Sequence, residues 1–454
     1  MRDYQAVIWT RAGGAAVKMG NLYVTEEAAR FRYAAAFVES GLPGLSLVYP
    51  PRVFGETPIV YRRPDAVHPR VAALIPPRGE ANFQRRLLLS YLRAQGVTPG
   101  SGFDEDWAIL MIAGHGGIGH VDVFETDAQA EDWYGSAAPT PLAPIGQTVG
   151  NTLRELLVWL DADASALLQA LGPTPSVGGA VPKLLLSIPD TGWTGEVGLP
   201  TRGYQRGRID VVLKIERSQT YPGLVELEAL ALDIHKEAGF EVPRYWTGEV
   251  AELPALAIER FDRDVQGKPL PLESWFSILS SGARDILTHY DGSLDRVARA
   301  IDTPSVALVA DPRAAKQHLY RRLILALLTG NGDLHLENLS VLGAADTARF
   351  SPVYDPTPMR AYSLHNILTA LPFGRYGEPA GAGATGVKLA DACVNFGHVL
   401  GLRKNEMAAV VSELMELTAN YAARVQALER LPPEHKQRLA GITAHVRDTL
   451  QVLR

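Results

Sequence analysis

A single cysteine, Cys393, stands among 454 residues, so no disulfide can form within the chain and the core must hold the fold. Positive charge is scarce: 44 Lys and Arg face 50 Asp and Glu, a formal net charge of −6. A dedicated nucleic-acid binder carries a basic excess or stripe. Here the pairs Arg62-Arg63, Arg85-Arg86 and Arg321-Arg322 are scattered, so no direct nucleic-acid binding is expected. No apolar run approaches the roughly 18 residues that span a bilayer, and no basic stretch followed by an apolar core opens the chain. No signal peptide and no membrane association are expected, and a cytoplasmic location is. A Gly-x-x-x-x-Gly-Lys-Ser/Thr phosphate loop is also missing.

What is present suits a globular protein: 46% hydrophobic and 21% charged residues. At roughly 100–200 residues per domain the length suggests two to four units. Residues 6–9 and 22–24 read as strands, and residues 83–93 as a helix with Leu87, Leu88, Tyr91 and Leu92 on one side. Residues 136–150, rich in Pro, Ala, Gly and Thr, suit a linker. A helix is expected after Asn151, a glycine-bearing turn over 176–183, and strands over 184–188, 209–215 and 256–261. Alternation in the second puts Val211, Leu213 and Ile215 on one face and Lys214 on the other. Between them a helix over 225–238 stops at Gly239. From about 263 the pattern is helical, with Leu319, Leu323 and Leu327 spaced by four before Gly330, and an amphipathic stretch over 406–428.

Chemistry concentrates in Gly330-Asn331-Gly332-Asp333-Leu334-His335-Leu336-Glu337-Asn338. It contains Asp-x-x-x-x-Asn, the spacing of kinase catalytic loops. One carboxylate, Asp333, would orient a substrate hydroxyl; a neutral oxygen, from Asn338, would ligate Mg²⁺. Asp355 follows at the distance where kinases place a second metal carboxylate. Alone the spacing is common by chance. It gains weight from order: a strand lysine (Lys214), a helix glutamate (Glu226 or Glu228), the Asp/Asn loop, then the metal aspartate. Two matches to Gly-x-Gly-x-x-Gly, at 114–119 and 381–386, lack the strand–turn–helix setting a dinucleotide needs. His335 finds no zinc spacing with His115, His120 or His365, and reads as a hydrogen bonder that fixes the loop. Trp159, Trp246 and Trp275 read as core.

At this point the chain resembles the HipA-like serine/threonine protein kinases. Gly178-Gly179-Ala180-Val181-Pro182-Lys183 resembles their phosphate loop, and residues 222–228 leading to 238–243 match the segment carrying the lysine's glutamate. Residues 258–263 look like their hinge, Gly330–Asn338 like their catalytic loop and Tyr354-Asp355 like their metal aspartate. The resemblance covers about residues 176–356 and loosens before 140.

It implies an α+β, two-lobed protein-kinase-like fold. A small N-terminal subdomain (1–140) would precede a mixed α/β N-lobe (141–262), and a mostly helical C-lobe (263–454) would follow. It implies ATP and Mg²⁺ as cofactors. Gly178, Gly179, Ala180, Lys183, Lys214, Glu259 and Phe261 would hold ATP, and Asn338 and Asp355 the metal. Asp333, Lys214 and Glu228 would be catalytic. A protein hydroxyl would accept the phosphate, with aminoacyl-tRNA synthetases among the family's targets. A small DNA-binding antitoxin would be a separate partner chain. Related kinases autophosphorylate a serine where Ser176 stands, although Ser176 after Pro175 also suits a simple turn. Valine at 181 departs from the family's polar residue, as does Leu227 from its frequent asparagine. Two alternatives stay open: a kinase-fold binding module or corepressor acting with an antitoxin, and a lipid or small-molecule kinase.

Overall fold

The computed structural model describes residues 3–79, 82–136, 142–144, 182–250, 253–303, 305–377 and 386–454. The fold is mixed α/β, and the chain divides into two compact units. One comprises Met1–Arg217 and Arg244–Glu273, the other Ser218–Pro243 and Ser274–Arg454.

In the first unit an antiparallel sheet is built from β1 (Tyr4–Thr10), β2 (Val17–Val24), β3 (Ala29–Tyr33), β4 (Ile59–Tyr61) and β5 (Asp122–Phe124), in the order β4-β3-β2-β1-β5. Alternation is strict in β3, which feeds its core. In β3, Ala29, Phe31 and Tyr33 are buried while Arg30 and Arg32 face solvent. Short helices α1 (Ala35–Val38), α2 (Pro51–Phe54) and α3 (Pro69–Ala72) lie between these strands in the sequence. The longer α4 (Phe83–Ala94) and α5 (Phe103–Ala113) precede β5, and α6 (Asp127–Gly135) follows it. Asn82 caps α4 by accepting the Arg85 N–H at 3.0 Å.

The two-residue strands β6 (Ala143–Pro144) and β8 (Glu196–Val197) pair with each other. A second antiparallel sheet, order β10-β11-β9-β7, joins β7 (Lys183–Pro189), β9 (Arg208–Ile215), β10 (Tyr245–Val250) and β11 (Leu253–Glu259). One face carries Leu184, Leu186, Ile188, Val211, Leu213, Ile215, Ala255 and Ala257, packed on Phe83 and Leu87 of α4. Lys183 and Lys214 lie on the other face.

The expected strands over 6–9, 22–24, 184–188 and 209–215 and the helix over 83–93 all form. The Gly-x-Gly-x-x-Gly run at 114–119 sits between a helix and a strand, and its loop presents carbonyls. Arg260 donates to the carbonyls of Gly116 (3.2 Å) and Gly117 (2.6 Å), and Arg263 to those of Gly119 and Gly117 (both 3.0 Å). Asp262 lies between the two guanidiniums, 2.7 Å from Arg260 and 2.9 Å from Arg263, and accepts the Gly119 N–H at 2.7 Å.

In the second unit, α7 (Leu224–Glu237) starts at Gly223 and gives way to Gly239, whose φ of +79° is the left-handed stop expected there. After β12 (Leu272–Ser274) come α8 (Trp275–Gly282), α9 (Leu294–Ile301) and α10 (Pro312–Thr329). Leu319, Leu323 and Leu327 are buried in α10, as the spacing predicts. A short hairpin, β13 (Ser340–Leu342) and β14 (Arg349–Phe350), precedes α11 (Leu389–Val399), α12 (Lys404–Leu417), α13 (Tyr421–Gln426) and α14 (Pro433–Leu450). The amphipathic stretch 406–428 is thus two helices. Arg447 of α14 draws out the carbonyls of Met415 (2.8 Å) and Thr418 (3.2 Å), closing α12 early. Among the described residues no helix is long and apolar enough to cross a membrane. Trp275 is fully buried and Trp246 packs against the second sheet's core, whereas Trp159 lies outside the described residues.

Candidate active site

In the second unit the end of α10 positions the loop. Gly330 terminates the helix at φ +78°, and a Cβ there would come within 2.6 Å of Leu439 Cδ1. At Gly332 a Cβ would meet the Ile367 carbonyl at 2.4 Å. Both glycines are therefore steric requirements. Asn331 Oδ1 accepts the Asp333 N–H at 3.0 Å, an Asx turn that sets the aspartate's backbone. The Asp333 carbonyl in turn accepts the Asn338 Nδ2–H at 2.8 Å. That bond commits the amide nitrogen inward and leaves Asn338 Oδ1 as the acceptor atom for a cation.

Asp333 Oδ1 accepts the Tyr290 hydroxyl at 3.1 Å, and its side chain is 27% exposed. Burial pushes its carboxyl above the usual carboxylate range and the charge of Asp355 adds to this, while the Tyr290 hydrogen bond and the nearby His365 and His289 oppose it. Asp355 and Asp333 thus share an electrostatic neighbourhood. Asp355 holds φ +49°, a left-handed conformation costly for a residue with a Cβ and concentrated at functional sites. Before it, the Tyr354 hydroxyl donates to the Glu337 carbonyl, tying the segment to the loop. His335 does fix the loop: its Nδ1 accepts the Glu337 N–H at 3.2 Å.

In the first unit the register of β7 and β9 sets Lys183 directly opposite Lys214. The two are only 6% and 5% exposed. Like charges facing each other across a sheet oppose one another. Glu259 ends β11 and takes the Arg244 guanidinium through both oxygens, at 2.7 and 2.8 Å. Phe261, half-buried, follows it. Glu228 is buried on α7. Ser176, Gly178, Gly179 and Ala180 lie outside the described residues.

Oxygen donors from two carboxylates and one oriented amide suit Mg²⁺, and paired lysines suit phosphates. Sequence reasoning missed three features: Tyr290 on Asp333, the register that pairs the lysines, and His289, whose Nδ1 lies 3.1 Å from Glu337 Oε2. None carries a local signature.

Comparison with known proteins agrees with the sequence pattern. The family model "HipA-like C-terminal domain" matches residues 175–421, over half of the chain. A protein named "Putative kinase" from Haemophilus influenzae is 30% identical over 253 residues, covering 51% of this chain and 68% of its own length. "Putative kinase Y4dM" from Sinorhizobium fredii is 30% identical over 172 residues, covering 35% of this chain and 40% of its own. Among solved structures, HipA from Shewanella oneidensis MR-1, in complex with HipB and operator DNA, shares the fold with a TM-score of 0.62 at 19% identity, over 96% of this chain and 95% of that one. The chain belongs to the HipA-like kinase family.

Proposed function

We propose that this protein is an ATP- and Mg²⁺-dependent serine/threonine protein kinase. The observation that carries the reading is the loop itself. Asp333 holds a partly exposed carboxylate, while its carbonyl accepts from Asn338 Nδ2 and so leaves Asn338 Oδ1 as the acceptor that would ligate the metal. Mg²⁺ and ATP together supply a charge-neutralised γ-phosphoryl group, and the protein's part is positioning. In this reading Asn338 and Asp355 hold the metal, and Lys183 and Lys214 take the phosphates with Gly178, Gly179 and Ala180. Glu259 and Phe261 belong to the adenine-binding segment, and Glu228 keeps the catalytic role that the family resemblance gives it. Asp333 orients the acceptor hydroxyl and takes its proton.

A protein acceptor is favoured over a small molecule. Tyr290, which contacts Asp333, lies on a segment that also exposes Leu287 (65%), and the 360s segment beside Gly332 exposes Leu364 (74%) and Ile367 (51%). Such apolar rims suit docking of a polypeptide. A place in a two-lobed toxin–antitoxin kinase, acting on translation machinery in the cytoplasm beside a small DNA-binding antitoxin, is part of the same proposal, supported by the family resemblance. The Shewanella HipA is itself complexed with HipB and DNA. Autophosphorylation at Ser176 belongs to the same reading: a phosphoserine adds about −1.5 to −2 charges at pH 7 and would repel the nucleotide.

The test is incubation of the full chain with γ-labelled ATP, Mg²⁺ and a lysate of its own host, followed by phosphopeptide mass spectrometry. New phosphoserine or phosphothreonine is expected, and is expected to vanish with Asp333→Asn. Folded protein that binds no ATP and labels nothing, itself included, ends the proposal.

A further inference from the structure

His289, His335 and Glu337 each offer a ligand atom, and these atoms lie within 4.8 Å of one another. The three come from two segments of the second unit that are already joined. The Leu336 N–H donates to the His289 carbonyl at 3.1 Å, and the two imidazole rings lie 4.2 Å apart, centroid to centroid. His289 Nδ1 faces Glu337 Oε2 at 3.1 Å. We propose that these residues form a binding site for a transition-metal cation of the Zn²⁺ class, separate from the Mg²⁺ ligands Asn338 and Asp355, and that the bound ion restrains Asp333.

The donor set selects the metal. Two imidazoles and a carboxylate are a zinc set, with room for a water as fourth ligand. Mg²⁺ prefers oxygen throughout and gives up its water reluctantly. The site is open to solvent, since the His289 and Glu337 side chains are 27% and 33% exposed.

The second observation is the surroundings of His335. With Nδ1 accepting the Glu337 N–H, the neutral ring carries its proton on Nε2, which lies 3.9 Å from Asp333 Oδ2. That is beyond hydrogen-bond length, but metal-ligating histidines typically turn their other N–H onto a carboxylate, and a small turn of the ring brings Asp333 within reach. On binding, the cation takes the Nδ1 lone pair in place of the Glu337 N–H. It also displaces the proton from His289 Nδ1 to solvent. Asp333 then becomes the outer carboxylate of a metal–histidine–carboxylate chain. Tyr290, next to His289 in sequence, is held on the other oxygen of Asp333. A carboxylate engaged from both sides is poorly placed to accept a substrate proton, so the ion slows phosphoryl transfer. This regulatory half rests on the role proposed for Asp333; the metal site does not.

The experiment uses the full chain stripped with chelator, then dialysed against Zn²⁺ with metal analysis, and titrated with Co²⁺ while its visible absorption is read. One ion per chain is expected. His289→Ala and Glu337→Gln should each weaken binding by about 10–100-fold, and Asp355→Ala should keep it. With Mg²⁺-ATP, one equivalent of Zn²⁺ should lower turnover of the parent and leave that of His289→Ala unchanged by zinc. Absence of stoichiometric binding, or undiminished binding by His289→Ala, overturns the site. Full turnover by zinc-loaded parent overturns the restraint. A parent that never turns over ATP yet shows the His289-dependent cobalt band removes the kinase reading and upholds the site.

Discussion

At the scale of single residues, the two aspartates should fail in different ways. Asp355→Ala removes the proposed metal carboxylate and should abolish Mg²⁺-enhanced ATP binding in calorimetry. Asp333→Asn keeps the loop's backbone bonds and should bind ATP normally while losing transfer by about 10²–10⁴-fold. The paired lysines should show coupling. Lys183→Ala and Lys214→Ala each remove a charged contact worth about 1.5–3 kcal/mol. With both lysines on one polyanion, as proposed, the double variant should lose less than the sum. A double-mutant cycle on ATP affinity reads this directly, and strict additivity would mean that the two lysines serve different ligands. Asp333, Asn338 and Asp355 could be proposed from the sequence because the Asp-x-x-x-x-Asn spacing and chain order are local. Tyr290 was not, because a tyrosine 43 positions from its partner leaves no local pattern.

Among elements, the loop over 114–119 teaches how a glycine pattern can serve opposite chemistry. In a dinucleotide fold such glycines turn N–H groups toward phosphate. Here carbonyls surround Arg260 and Arg263, with Asp262 between them. Burial works against the Asp262 charge, but Arg260 and Arg263 outweigh it and hold the carboxyl well below the usual range. Asp262→Ala leaves two buried guanidiniums without their carboxylate. It should cost about 3–5 kcal/mol in urea unfolding of the full chain; a loss under about 1 kcal/mol would mean that water serves as well. Strand and helix identities were readable because period-2 burial in β3 and four-residue spacing in α10 are written in consecutive residues. The break between α12 and α13 was hidden. The carbonyls it leaves are satisfied by Arg447, from a helix further along the chain.

For the whole molecule, acid is the expected weakness. Burial holds His68, His120 and His318 down at about 3, with Arg70 opposing protonation of the first two and Arg322 of the third. His235 is lowered by burial and by Arg322, whose Nη1 donates to its Nε2 while its Nδ1–H donates to the Ala231 carbonyl. The unfolded chain takes up these protons near pH 6.5, and the folded one does not. Stability is thus full above about pH 6.5 and falls by roughly 1.4 kcal/mol per histidine for each pH unit below it. Scanning calorimetry from pH 7.5 to 5 should show a steep drop in Tm, softened by His235→Gln; a flat Tm would refute it.

The interleaving of the two units has a consequence during synthesis on the ribosome. In the second sheet β9 is flanked by β7 and β11, yet β11 is translated only after residues 218–243, which belong to the other unit. Until residues 253–259 leave the exit tunnel, β9 waits with one edge bare, a template for strands of neighbouring nascent chains. Polypeptides released at residue 243 should therefore pellet on centrifugation where the full-length product stays in the supernatant, and the interval that elongation takes to deliver β11 sets how long each new chain needs a chaperone.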